Sequence, residues 1–133
     1  MRTRWLGTTL AFVIGALALV SAQQVTRKDV TGISTFAQLG TTIACGGATK
    51  AEAIPELKAM GFKSVINVRQ PGEQGADVEA EGVAVRQAGM IYINLPFNIQ
   101  SPDPALIDNF IAAVTAPVNQ PASSDARNTA RLV

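Results

Sequence analysis

The chain contains no histidine, and its single cysteine is Cys45. Without an imidazole there can be no Ser-His-Asp or Cys-His catalytic arrangement and no His-containing metal site. With one thiol there can be no internal disulfide, whatever the redox state of the compartment. Charge of either sign is also in short supply: 11 Lys and Arg stand against 10 Asp and Glu, scattered along the chain. Such a balance gives no electrostatic footprint for nucleic acid, which is therefore not expected as a partner. Long apolar runs are missing as well. The one candidate, Leu6 to Val20, falls short of the ~20 residues needed to cross a bilayer.

That run has a different meaning. Arg2 and Arg4 precede it, and the small residues Ser21 and Ala22 follow it, the order of charged, apolar and cleavage regions in a secretory signal. We read residues 1–22 as a signal peptide cut after Ala22, which makes the mature chain periplasmic or secreted with no stable membrane anchor. Cleavage removes two basic residues and no acidic one, leaving one net negative charge. The remaining length suits one small domain, placed at residues 33–122.

Periodicity then alternates. Ile33 to Leu39 reads as a short element and Thr41 to Cys45 as a brief strand closed by Gly46 and Gly47. A helix should follow, with Thr49 and Glu52 as a capping box and Gly61 as its stop, although Pro55 requires it to start later or to bend. "FKSVINVR" is a β-branched run that fits a strand buried on both faces of a parallel sheet. A second helix is expected from about Glu73 to Ala88 with Gly89 as its stop, a strand over "MIYINLPF", and a third helix capped by Asp103 with Pro104 first. Strand and helix in alternation predict a parallel sheet with helices on its faces. One more strand is due after Pro117, yet "ASSDARNTARLV" shows no β-branched or aromatic run.

Few residues are placed for chemistry. Cys45 ends a strand before glycines and a helix start, where backbone amides can lower a thiol pKa; Ala51 stands six residues on, where a phosphate loop would need Arg, and a buried structural thiol is the competing reading. Gly46-Gly47 offers an anion nest, but "GGATK" lacks the spacing of a nucleotide loop. Arg69 follows a buried strand at the end where α/β sheets bind ligands, and is a substrate-binding candidate or the ion-pair partner of Glu73. Asp103 is a general-acid candidate or simply an N-cap. Glu73, Asp77, Glu79 and Glu81 are expected mostly on the solvated face of one helix, so no metal site and no cofactor is expected.

"IACGGATKAEAIPELKAMGFKSVINVRQPGE" followed by "AGMIYINLPFN" resembles the bacterial phosphatase-like family related to dual-specificity and tyrosine phosphatases, also found fused to other domains. The resemblance implies a compact three-layer α/β phosphatase fold with a parallel central sheet, and a phosphorylated substrate as partner. It also implies a nucleophilic Cys in His-Cys-x-x-x-x-x-Arg, on a loop after the next strand, working as a thiolate whose phosphoryl transfer is stabilised by backbone amides and the loop Arg.

This chain departs from the pattern at that point. It has no His and no second Cys, and neither Arg127 nor Arg131 has a Cys six residues before it. The expectation is an incomplete sheet lacking the strand and loop of the nucleophile, with residues 123–133 a disordered or frameshifted tail. The missing strand would leave its neighbours' backbone unpaired, so the chain should be marginally folded and inactive as a hydrolase. The alternative is a non-catalytic exported binding module.

Overall fold

The computed structural model describes residues 24–125, so the N-terminal signal expectation and residues 126–133 of the tail lie outside the described residues. The elements run β1 (Val25–Arg27), β2 (Ala37–Leu39), β3 (Ile43–Gly46), α1 (Ile54–Ala59), β4 (Ser64–Asn67), α2 (Val78–Gln87), β5 (Ile91–Asn94), α3 (Pro104–Thr115) and β6 (Ala122–Asp125). They form one six-stranded sheet of order β1-β2-β3-β6-β4-β5. β3, β6, β4 and β5 are parallel, and β1 and β2 add an antiparallel edge.

The position of β6 corrects the expectation of an incomplete sheet. The strand is present, and it lies in the middle: Ala122 to Asp125 pair with Ile43 to Gly46 on one side and with Ser64 to Asn67 on the other. All four of its residues are buried. Between Ala44 on one side and Val65 on the other, Ser123 needs no bulk to fill its place. Strand propensity was the wrong guide because β-branched preference measures packing on a half-open pleated surface. A central strand is held by two ladders whatever its side chains. The tail therefore does not begin at residue 123, and β3 and β4 are not left as unpaired edges.

Other boundaries move for local reasons. Pro55 occupies the first turn of α1, where its missing N–H costs nothing. The helix starts late, after a 3-10 turn at Ala51–Ala53, and Thr49 makes no capping box. The second helix is shorter than the sequence suggested. It begins beyond Gly72 and Gly75, which turn at positive φ, and Asp77 caps it by accepting a hydrogen bond from Ala80 N at 3.0 Å. Asp103 caps α3 in the same way through Ala105 N. Asn119 Nδ2 and Gln120 Nε2 donate to the carbonyls of Ala113 and Val114 at 2.8 and 3.0 Å. These bonds satisfy orphan acceptors of the last turn of α3 and tie it to the entrance of β6.

The two faces of the sheet are covered unequally. Ile54 and Leu57 of α1 and Val85 of α2 pack with Ala44, Val65, Phe36 and Phe62 into one closed core. Gly82 lies on that side because a Cβ there would meet the Tyr92 ring. On the other face, α3 buries none of its residues fully, and Ile107 and Ile111 are each 52% exposed. Among the described residues no helix is long and apolar enough to cross a membrane.

Candidate functional site

The parallel strands end together, and register puts Gly46, Asp125, Asn67 and Asn94 side by side at that rim. Alternation along the strands turns Asp125 and Asn67 toward the α1/α2 face, in step with Ser123 and Val65. Asp125 is 1% exposed. Its Oδ2 accepts from Thr49 N at 2.9 Å and its Oδ1 from the Thr49 hydroxyl. Next to it, Asn67 donates through Nδ2 to Glu81 Oε2 and accepts from Arg69 N at 2.7 Å.

Glu81, only 2% exposed, is the largest departure from the sequence reading of the helix, which put the acidic residues of α2 mostly in solvent. Desolvation pushes its carboxyl up to about 9, and the negative charge of Asp125 adds to the rise against the opposing Asn67 and Tyr92 hydrogen bonds. At neutral pH Glu81 is therefore protonated. Burial raises Asp125 too, opposed by the Thr49 hydrogen bonds, by Glu81 and by the charge of Arg69. Tyr92 also rises, first through desolvation and then through Glu81 and Asp125; its hydroxyl donates to Val78 O at 3.1 Å and its ring carries Arg86 at 5.6 Å.

Arg69 lies just beyond β4, at the predicted end of the sheet. It is buried, with Nη2 donating to Gln74 O at 2.9 Å and Nε 3.5 Å from Glu73 Oε2. The ion pair with Glu73 is thus realised, next to the rim. Asp103 is not drawn into this cluster; it is exposed and its Oδ1 serves the α3 cap. Cys45, on β3, is exposed rather than buried and points with Ser124 to the α3 face. Desolvation in the cavity there raises its thiol, opposite to what a nucleophile needs. Gly46 and Gly47 form no open nest. Side chains there would collide with Ile33 and Ser34, and Gly47 N donates to Ser34 O at 2.7 Å.

Sequence reasoning missed Thr49, Asn67, Glu81 and Asp125. One signal was available: Glu81 stands four residues before the buried Val85, on the same side of α2.

The phosphatase-like domain of beta-lactamase hydrolase-like proteins matches residues 35–132. The chain belongs to this family. The fold agrees: a DUF442 phosphatase-like protein from Shewanella putrefaciens superposes with a TM-score of 0.65 at 26% identity, over 72% of this chain and 60% of that one. The chain is similar in fold alone to TpbA of P. aeruginosa, with a TM-score of 0.59 at 14% identity over 80% of this chain and 61% of that one. The catalytic domain of the PP-IP phosphatase SIW14 from S. cerevisiae matches at 0.52 and 13%, over 64% and 51%. No curated protein matches. This phosphatase-like chain spans about 60% of the length of the Shewanella structure. Membership of this phosphatase-like family and a mixed α/β fold with a mostly parallel sheet are therefore established for it.

Proposed function

We propose that this chain is an exported phosphatase-like protein that turns over no phosphomonoester through a cysteine and serves as a non-catalytic module recognising phosphorylated groups. One observation carries the reading: β6 ends on Asp125, buried and held by Thr49. The six residues that follow in sequence, Ala126 to Arg131, include no Cys. In the His-Cys-x-x-x-x-x-Arg pattern the nucleophile comes directly after that strand. Covalent phosphoryl transfer needs a thiolate within reach of the phosphate-binding amides. Cys45 lies on the neighbouring strand, faces α3 and has its thiol pushed up by desolvation. The paired central strand favours a folded binding module over a marginal remnant.

The test is turnover of p-nitrophenyl phosphate by the purified chain, together with calorimetric titration by phosphotyrosine. Binding without turnover, unchanged in Cys45→Ser, is expected. Turnover lost in Cys45→Ser would overturn the reading. Export is checked separately by sequencing the protein recovered from the periplasm or medium, which should begin at Gln23.

A further inference from the structure

Two buried acids meet on the α1/α2 face. Asn67 and Asp125 are register partners on β4 and β6, and Glu81 of α2 reaches the same place by accepting from Asn67 Nδ2 on its Oε2. Both carboxyl groups are withdrawn from solvent. Glu81 Oε1, equally buried, accepts no hydrogen bond from any of the described residues. Buried polar atoms left in that state are rare in native structures.

The donors around it are already committed. Asn67 Nδ2 is on Oε2, and Tyr92 of β5 gives its hydroxyl proton to Val78 O. Arg69, just beyond β4, directs Nη2 to Gln74 O and pairs with Glu73. On α2 itself, Arg86 lies over the Tyr92 ring, Asp77 caps the helix and Glu79 is exposed. From α1 and the turn before it, Lys58 donates to Ala88 O at the far end of α2, Glu52 is exposed and Glu56 is half-buried. Oε1 can therefore be satisfied as a donor, through a proton of its own. Asp125 offers the acceptor, because each of its oxygens takes one bond from Thr49 and keeps a lone pair. A carboxylate accepts more strongly than the neutral Tyr92 oxygen. Burial raises the proton affinity of both acids, and the charge of Asp125 adds to it at Glu81.

We propose that Glu81 and Asp125 share one proton, carried on Glu81 Oε1 and donated to Asp125, and that this proton latches α2 onto the central strand. Once it is lost to solvent, two carboxylates face each other inside the fold, and one has to move toward water. α2 is the element free to yield. It follows the positive-φ turns at Gly72 and Gly75, whereas β6 is fixed by a ladder on each side. The latch does not depend on phosphate recognition.

Infrared spectroscopy of the purified chain should show the C=O stretch of an un-ionised carboxylic acid at neutral pH, lost with a midpoint of about 9. Glu81→Gln keeps an oxygen for Asn67 and turns an N–H toward Asp125, so it should fold and lack that band. Asp125→Asn should lower the midpoint by about one unit or more, the effect of removing an adjacent charge. Tyr92 is the chain's only tyrosine; its hydroxyl donates to Val78 O and its ring packs against Gly82 of α2. Its near-ultraviolet circular dichroism should fade over the same interval while the far-ultraviolet signal persists, and should stay constant in Glu81→Gln. Absence of the band at neutral pH, its survival in Glu81→Gln, or an unmoved midpoint in Asp125→Asn overturns the shared proton. A steady Tyr92 signal, or loss of the far-ultraviolet signal along with it, overturns the latch. If Glu81→Gln fails to fold, the wild-type band and the Asp125→Asn midpoint still decide.

Discussion

Thr49 grips the carboxylate of Asp125 at both oxygens, with its backbone N–H on Oδ2 at 2.9 Å and its hydroxyl on Oδ1. The two residues are 76 positions apart in sequence, so this contact fastens the last described strand to the loop after β3. Thr49→Val keeps the shape and the backbone bond but leaves Oδ1 without its hydroxyl. Urea denaturation should show a loss of about 1 to 3 kcal/mol, the cost of depriving a buried acceptor of its partner. Thr49→Val should cost much less in an Asp125→Ala background; equal costs in the two backgrounds would mean that the pair is not coupled.

Glu81 sets the pH dependence. Its folded pKa, about 9, lies above the ordinary 4.5, principally through desolvation. Between these values the folded chain holds a proton that the unfolded chain has released, so stability must fall as pH rises through that interval. Asp125, also raised by burial, acts with the same sign from lower pH. The melting temperature should decline from about pH 5 to pH 9, and Glu81→Gln should flatten most of that decline. A wild-type melting temperature that climbs over the interval would contradict a protonated Glu81.

Asp103 separates capping from catalysis. Asp103→Ala should cost about 1 kcal/mol through loss of the bond from Ala105 N, while Asp103→Asn, an equally good cap, should cost little. Equilibrium denaturation of both variants measures this. A large loss in Asp103→Asn would point to a role of the charge itself.

The central strand can be removed directly. A chain ended at Pro121 loses the partners of both β3 and β4, leaving two rows of buried backbone groups unpaired. It should lack a cooperative thermal transition in circular dichroism, whereas the full chain should show one. Within the strand, Ser123→Ile should destabilise by about 1 to 3 kcal/mol, because Ala44 and Val65 leave no room beside it.

Alternation of β-branched runs with capped, amphipathic helices determined the α/β class, the site of β4, the Asp103-Pro104 start of α3 and the glycine stops at Gly61 and Gly89, because each depends on neighbours within a turn or a pleat. Composition alone determined that histidine chemistry is absent. The tertiary structure decided the rest. "ASSD" becomes a strand only because two ladders close on it from β3 and β4, separated from it by tens of residues. Glu81 becomes a buried, protonated acid only because α2 turns it toward Asp125 and Asn67. Arg69 was legible as a residue at the end of a strand, but its near-complete burial was not, since burial is settled by elements that sequence spacing does not bring together.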